Sequence, residues 1–285
     1  MHSNNNISGS SNRLGGTKAL ESTMWIESIF FASVAILSVT WLYGIRAYDA
    51  LTKLQKHQHH PLFNTGHASI VALTIDDAPW RFRPLGGESD VLSMGSSVKE
   101  IGAVLEQHGC SATLMVIGSY VEEASAEIIQ TLRRLCGNGT IEYANHGYSN
   151  AEHARLPIGE LETELVETER VVRSRLLQDD DGGGCPAMTR FYRPGCGRFH
   201  SDMLECAAAR GYRTVLGDVY SFDPHVPIAL LHLIHIMITV RPGSIVILHD
   251  RPWTPALLRW LLPLLKWRGY RVEMLSKAMQ RTEGQ

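Results

Sequence analysis

The sequence predicts an α/β fold in which a parallel sheet or barrel is surrounded by helices. Strand-like and helix-like segments alternate from about residue 67 to the C-terminal region. The strand candidates are short and rich in β-branched residues, whereas the helix candidates carry apolar residues every three or four positions. Ionisable residues follow several of the strands, which is where active sites of such folds collect.

The predicted elements follow one another in regular order. The first strand covers residues 69–75, and Pro79 stops it. Amphipathic helices are predicted over residues 98–108, 122–136 and 157–177, the first two ending at a glycine. Further strands are predicted over residues 111–118, 140–145, 189–192, 214–216 and 244–248, and residues 179–184 form an acidic, glycine-rich loop.

Composition argues against a nucleic-acid-binding protein and against a scaffold built from disulfides. The chain has 285 residues with 27 Lys and Arg against 29 Asp and Glu, so no basic excess points to nucleic acid. The five cysteines are spread out without a CxxC pair, which argues against a structural zinc site. Their odd number allows two disulfides at most, and Cys110 and Cys136 can be interpreted as core residues.

The N-terminal region is predicted to lie outside the folded domain. Residues 1–24 have the composition of a disordered tail. Residues 25–48 contain an uncharged apolar run long enough for a single transmembrane anchor. A buried helix and a cleaved signal peptide are the alternatives, but neither a polar face nor a cleavage site is visible. Residues 49–66 then form a linker, residues 67–276 the main domain and residues 277–285 a tail.

Two adjacent carboxylates end the first predicted strand. Asp76 and Asp77 directly follow the apolar run from Val71 to Ile75. Successive side chains of an extended chain point to opposite sides, so a buried strand would end in two charges that are costly to bury. A metal ion held by one carboxylate, with the other free to take a proton, would resolve this. Taken alone, the pair is better explained as a solvated strand end or a helix N-cap.

The other strand ends change that interpretation. Ionisable residues also occur within residues 145–150, 193–197, 217–224 and 248–250, each segment coming at or after a predicted strand. The carboxyl ends of parallel strands meet at one edge of a sheet. Five such strand ends therefore predict an active site.

These segments resemble the five motifs of the NodB-type polysaccharide deacetylases, carbohydrate esterase family four. The most specific matches are Asn-His-Gly-Tyr at residues 145–148 and Pro-Gly-Ser-Ile-Val-Ile-Leu-His-Asp at residues 242–250. Residues 74–79 resemble the first motif, although Ile75 and Ala78 stand where the family usually has Phe and Gly. The resemblance extends over residues 67–274. It implies a distorted (β/α) barrel, here preceded by the transmembrane helix.

The resemblance also implies roles for individual residues. Asp76 would be the catalytic base, and His249 would protonate the leaving amine. Arg193 would orient the base, and the backbone N–H of Cys196 would bind the oxyanion. Either Asp218 or Asp223 would tune the histidine. Leu248 would line the acetyl pocket. The third motif departs from the family, because Gly195 and Cys196 replace a proline and an aromatic residue.

The implied metal ligands are Asp77, His146 and Asn150. The family has a second histidine where this chain has Asn150, four residues after His146. If this segment is one helical turn, the amide oxygen still reaches the ion, but as a weaker ligand for zinc. His153 would lie about 10 Å from His146 on a straight helix and is expected to be exposed.

The sequence thus predicts a membrane-anchored hydrolase that removes N-acetyl groups from a chitin-like polysaccharide or oligosaccharide. One divalent metal ion, expected to be Zn²⁺, would be the cofactor. The alternative is a non-catalytic carbohydrate-binding relative with a degraded metal site. Family resemblance and the glycosylation sequon at Asn138 favour a lumenal or extracellular domain, whereas the flanking charges lean the other way.

Overall fold

The computed structural model describes residues 61–81, 95–177 and 187–280. The predicted N-terminal tail, the predicted anchor, most of the linker and the acidic loop lie outside these described residues. Of the predicted C-terminal tail, residues 277–280 instead continue the last helix of the domain, and residues 281–285 lie outside the described residues. Within them, no helix combines the length and the apolar character needed to cross a bilayer.

The described part of the chain forms one parallel sheet of eight strands. They are β1 Ile70–Ala78, β2 Ala112–Val116, β3 Ile141–Asn145, β4 Phe191–Tyr192, β5 Arg213–Thr214, β6 Val219–Tyr220, β7 Ile245–His249 and β8 Arg271–Glu273. The strand order is β5-β4-β3-β2-β1-β7-β6, and β8 pairs with the first residues of β1. Every residue of β1 is buried, as expected for a central strand covered on both faces.

Helices occupy most of the connections between these strands. They are α1 Val98–Gln107, α2 Gly118–Glu122, α3 Ala126–Gly137, α4 Ile158–Arg175, α5 Ser201–Ala209, α6 Ala229–Thr239, α7 Thr254–Trp267 and α8 Leu275–Gln280. The helix predicted over residues 122–136 is present as α3, but its predicted start is wrong, because α2 ends at Glu122 and α3 begins after Ser125. The Ser125 side chain accepts a hydrogen bond from the Ile128 N–H and so caps the new helix.

The sheet curves into a partial barrel. Leu62 bridges to Val215 just after β5, and Asn64 bridges to Ser244 just before β7. The first described residues therefore connect β5, at one side of the sheet, with β7, near the other side. This arrangement confirms the predicted α/β, parallel (β/α) architecture.

The core lies on both faces of the sheet because side chains alternate along each strand. Val71 and Leu73 of β1 belong to the larger cluster, which packs against the helices. Ile70 and Ala72 belong to a second cluster on the opposite face, together with Val215. Because both faces of the sheet are closely packed, the polar residues at the strand ends are held in fixed positions.

Candidate active site

The two carboxylates that end β1 do not point to opposite sides. Asp77 adopts a left-handed backbone conformation with φ of 61°, and the register between β1 and β2 shifts between Ile75 and Ala78. This irregularity turns both carboxylates toward His146, whose Nε2 lies 3.9 Å from Asp76 Oδ2 and 3.6 Å from Asp77 Oδ1. The expectation from simple strand alternation is wrong here, and the correction brings three polar side chains together.

His146 is held in one tautomer. Its Nδ1 lies 2.8 Å from the backbone carbonyl of Arg193, which can only accept, so Nδ1 carries the proton and Nε2 faces the carboxylates as a lone pair. Burial acts to lower the pKa of His146, but Asp76 and Asp77 outweigh it, so its pKa lies above the ordinary value. Burial likewise opposes the ionised form of Asp77, yet the protonated form of His146, 3.6 Å away, together with His249 and Arg251 holds the pKa of that carboxyl well below its usual range.

Arg193 lies fully buried directly after β4. Its guanidinium donates to Asp76 Oδ1, to the hydroxyl of Thr74 at 2.8 Å and to the carbonyls of Val215 and Leu216 at 3.2 Å. Because these acceptors fix the planar guanidinium from several directions, Arg193 holds Asp76 in one orientation. The family resemblance implied that Arg193 orients Asp76, and the structure brings the two side chains into contact.

His249 ends β7 and is the register partner of Asp76 on the adjacent strand. Its Nδ1 lies 3.0 Å from Asp223 Oδ1, and its backbone N–H donates to Asp223 Oδ2 at 2.7 Å. Burial alone would lower the pKa of His249, but the Asp223 carboxylate raises it above the ordinary value.

Asp223, and not Asp218, is therefore the acid that accompanies the histidine. Asp218 instead accepts hydrogen bonds from Asn64, Arg241 and the backbone N–H of Ile245. These contacts tie the first described residues to the start of β7. The position of Asp218 is thus a structural one at the far end of the strands.

The remaining predicted site residues lie in different surroundings. Asn150 is exposed, and its amide donates to the Tyr120 hydroxyl at 3.3 Å. Cys196 is a free, exposed thiol whose backbone has φ of 59° within the short 3-10 helix Gly195–Gly197. Leu248 is fully buried in the larger core cluster, beside Val246. Residues 146–150 form bends rather than a helical turn, so the spacing argument for Asn150 does not apply.

Arg251 is a site residue that the sequence did not reveal. Its Nη2 donates to Asp77 Oδ2 at 2.6 Å, and both side chains are about nine-tenths buried. Its guanidinium also lies over the Trp80 ring, 4.8 Å from the centroid. The only available signal was its place two residues after His249 at the end of β7, since the contact with β1 depends on how the strands are ordered.

His153 is the second residue that sequence reasoning misjudged. It was expected to be exposed, but it is fully buried in the 3-10 helix His153–Arg155. Its Nδ1 accepts the Gly195 N–H at 3.0 Å and lies 2.8 Å from the Tyr192 hydroxyl. Burial lowers its pKa to about 4, so the ring is neutral. The straight helix assumed for this segment does not exist, because Gly147 takes a φ of 84° that turns the chain back.

Asp77 and His146 fit a divalent metal ion as two of its ligands. Their facing atoms are 3.6 Å apart, close to the roughly 3.4 Å edge of a tetrahedral zinc site with 2.0–2.1 Å bonds. The bond from Nδ1 of His146 to a carbonyl is the support that metal-binding histidines commonly have. Among the described residues, no three His, Cys, Asp or Glu side chains form a metal-binding group.

Comparison with known proteins places this site in a family. The sequence model of the polysaccharide deacetylase family matches residues 64–215, more than half of the chain. The chain belongs to the polysaccharide deacetylase family. The predicted resemblance to NodB-type deacetylases is confirmed, and so is the predicted class, a hydrolase of carbon–nitrogen bonds other than peptide bonds.

Curated relatives of this polysaccharide deacetylase cover most of the described domain. It is 30% identical over 223 residues to a chitooligosaccharide deacetylase of Bradyrhizobium sp. (strain ANU 289), covering 73% of this chain and 89% of the relative. It is 27% identical to a peptidoglycan-N-acetylglucosamine deacetylase of Bacillus cereus, covering 74% of this chain and 88% of the relative.

Solved structures share its fold. A peptidoglycan N-acetylglucosamine deacetylase superimposes with a TM-score of 0.63 at 22% identity, covering 81% of this chain and 96% of that one. A CE4 family pseudoenzyme from Bacillus anthracis also gives a TM-score of 0.63 at 22% identity, covering 79% of this chain and 71% of that one.

Proposed function

We propose that this protein hydrolyses N-acetyl groups on an amino-sugar oligosaccharide or polysaccharide. The observation that carries the proposal is the pair Asp76 and His249, which are register partners on adjacent strands. Each has its own buried partner of opposite charge, Arg193 for the carboxylate and Asp223 for the histidine. Because each group has its own partner, one can act as a base and the other as an acid. Such a pair suits a reaction that removes a proton from water and later gives a proton to an amine.

The proposed reaction uses both groups in turn. Asp76 takes a proton from the attacking water, whose oxygen adds to the acetyl carbon. The developing oxyanion accepts a hydrogen bond from the Cys196 N–H, as family resemblance implies. His249 then protonates the nitrogen as the carbon–nitrogen bond breaks, which releases acetate and a free amine. The raised pKa of His249 keeps it protonated to a higher pH than an isolated histidine.

We propose one divalent ion, expected to be Zn²⁺, with Asp77 and His146 as ligands and Asn150 as the third. When bound, such an ion polarises the acetyl carbonyl and lowers the pKa of water. Support comes from the tautomer of His146 and from its 3.6 Å distance to Asp77. For Asn150 the support is its place in the motif alone, since its amide contacts Tyr120.

Acetate release from N-acetylglucosamine oligomers and from an O-acetylated glycan tests this proposal. We expect release from the N-acetylated oligomers, loss after treatment with a chelator and recovery on adding zinc. Activity on the O-acetylated glycan alone would contradict the proposed bond type. Activity that persists in full after chelation, with metal shown to be absent by elemental analysis, would remove the metal from the proposal.

The second candidate is a non-catalytic carbohydrate-binding relative. Two observations favour it: Arg251 pairs with the proposed ligand Asp77, and Asn150 is exposed. A neighbour of the same fold is itself a pseudoenzyme. Under this alternative, the protein binds the oligomers and releases no acetate at any zinc concentration, and Asn150→His increases zinc affinity or creates activity.

We further propose that the domain lies in the lumen or outside the cell, held by the predicted single-pass anchor. Cys136 is disulfide-bonded, and such bonds persist in oxidising compartments. The sequon residue Asn138 is exposed at the turn between α3 and β3, where a glycan could be attached. Its amide donates to Glu106 at 2.6 Å, a bond that modification would have to replace.

A further inference from the structure

The outer face of α6 and α7 is unusually apolar for a surface. In α6, Leu230, Ile234 and Ile238 recur every four residues and are 62%, 48% and 75% exposed. In α7, Trp260 and Trp267 lie seven residues apart and are 69% and 82% exposed. The two helices pack side by side, and the Arg268 side chain after α7 donates to the Met237 carbonyl in α6. We call these five side chains the α6–α7 face.

The charged residues that α6, α7 and the turn after α7 contribute are all basic. Between residues 226 and 269 the sole acid is Asp250, which is fully buried in the hydrogen-bond network at the end of β7. The exposed charged residues of α7 and its C-terminal turn are Arg259, Lys266 and Arg268. An apolar surface with exposed tryptophans, on helices whose own exposed charges are basic, has the chemistry of a protein face that lies in the interface of an anionic bilayer.

The position at which the chain enters the domain is consistent with a lipid bilayer on the α6–α7 face. Asn64 bridges to Ser244, and Thr65 donates to the Gly243 carbonyl, so the chain enters the domain beside the turn that follows α6. Ile238 and Trp267 lie at this same end of their helices. Twelve residues separate the predicted anchor, which ends at residue 48, from Pro61, and they span at most about 43 Å. An anchor in a bilayer would keep this end of the domain close to the lipid.

We propose that the α6–α7 face docks on the surface of an anionic lipid bilayer, with Trp260 and Trp267 at the level of the headgroups. The proposal depends on the predicted anchor and not on the deacetylase chemistry. Docking through this face would fix the orientation of the domain on the membrane. Burying Ile238 and the two tryptophans would remove large apolar side chains from water, which favours docking.

Tryptophan quenching by brominated lipids tests the docking. The full chain would be reconstituted in vesicles of phosphatidylcholine with phosphatidylserine, with and without bromine on the upper acyl carbons. The emission of the double variant Trp260→Phe, Trp267→Phe is subtracted from that of the wild type, because the phenylalanines keep the face apolar while removing its signal. We expect the brominated lipid to quench this difference emission.

A second quenching experiment uses an acidic substitution in the α6–α7 face. Ile238→Glu places a negative charge at a position that is 75% exposed, so folding is preserved while docking on anionic lipid is opposed. We expect the quenching of Trp260 and Trp267 to fall in this variant, and to be unchanged in Ile158→Glu, a matched change at an exposed isoleucine of α4. Difference emission that brominated lipid does not quench would overturn the proposal. So would cross-linking of two copies through this face in the vesicles, because a second copy would then occupy it.

Discussion

At the scale of single residues, the site depends on how each ionisable group is partnered. Asp76 is fixed by Arg193, His249 by Asp223, and His146 by a backbone carbonyl. Asp77 is engaged through both of its carboxylate oxygens, by His146 and by Arg251.

If His249 is the proposed acid, its partner Asp223 should set the upper pH limit of activity. In Asp223→Asn the amide cannot stabilise the imidazolium, so the pKa of His249 falls while burial continues to lower it. Since His249 must be protonated to act as an acid, the basic limb of the pH–rate profile moves to lower pH. Rates of acetate release measured across pH check this. The control is Asp218→Asn at the far end of the strands, which should leave the basic limb of the pH–rate profile unchanged. An unchanged basic limb in Asp223→Asn would contradict the assignment of Asp223 as the partner of His249.

Arg251 should weaken the binding of a metal at Asp77. Its guanidinium occupies one carboxylate oxygen, so a cation must compete with it for negative charge. We expect Arg251→Gln to increase zinc affinity by about tenfold, the scale of effects for groups that contact a metal ligand. Zinc titration against a chromophoric chelator measures this, with Arg259→Gln on the exposed face of α7 as the control. Unchanged or weaker zinc binding in Arg251→Gln would show that the arginine does not compete.

At the scale of elements, one buried carboxylate connects the segments that frame the site. Asp250, directly after β7, accepts hydrogen bonds from the backbone N–H of Trp80 and of Ser97, both at 2.7 Å, and from the Ser96 hydroxyl. It therefore links the end of β1 and the start of α1 to β7. Asp250 was visible in the sequence as part of the last motif, but its partners lie more than 150 residues away.

Removal of this link should destabilise the fold. Asp250→Ala leaves two backbone N–H groups without an acceptor, and each such buried group costs about 1–3 kcal/mol. We expect a loss of several kcal/mol in the free energy of unfolding, measured by urea denaturation. Ser96→Ala removes one donor to Asp250 and the acceptor of the Val98 N–H, but the Trp80 and Ser97 N–H groups stay bonded to Asp250, so its loss should be smaller than that of Asp250→Ala. Equal losses in the two variants would mean that the backbone bonds contribute nothing.

The elements also show what the sequence could reveal. Alternating strands and helices were predictable because β1, β2, α1 and α4 are long enough to display their periodicity. Strands β6 and β8 were missed, because two or three residues show no pattern. The left-handed Asp77 was also hidden, since nothing in its residue type requires φ of 61°. Arg251 and His153 depend on tertiary contacts that no local pattern encodes.

At the scale of the whole molecule, cysteine chemistry reports on the compartment. Cys136 is disulfide-bonded, whereas Cys110, Cys196 and Cys206 are free. If the domain matures in an oxidising compartment, alkylation of the denatured, unreduced protein should modify the three free cysteines and spare Cys136. Peptide mass spectrometry of protein purified from membranes measures this. Full alkylation of Cys136 without a reductant would argue for a reducing compartment and against the proposed location.

The account as a whole centres on Asp76 and His249 as the base and the acid of one deacetylation. The most direct test is acetate release from N-acetylglucosamine oligomers by the wild type, Asp76→Asn and His249→Ala at matched zinc content. We expect each variant to lose at least about 10²-fold in rate while folding normally, because each lacks one proton-transfer group. Asp76→Asn should also retain its metal. Wild-type rates in either variant would contradict the assignment of that residue, and with it the reaction proposed for this site.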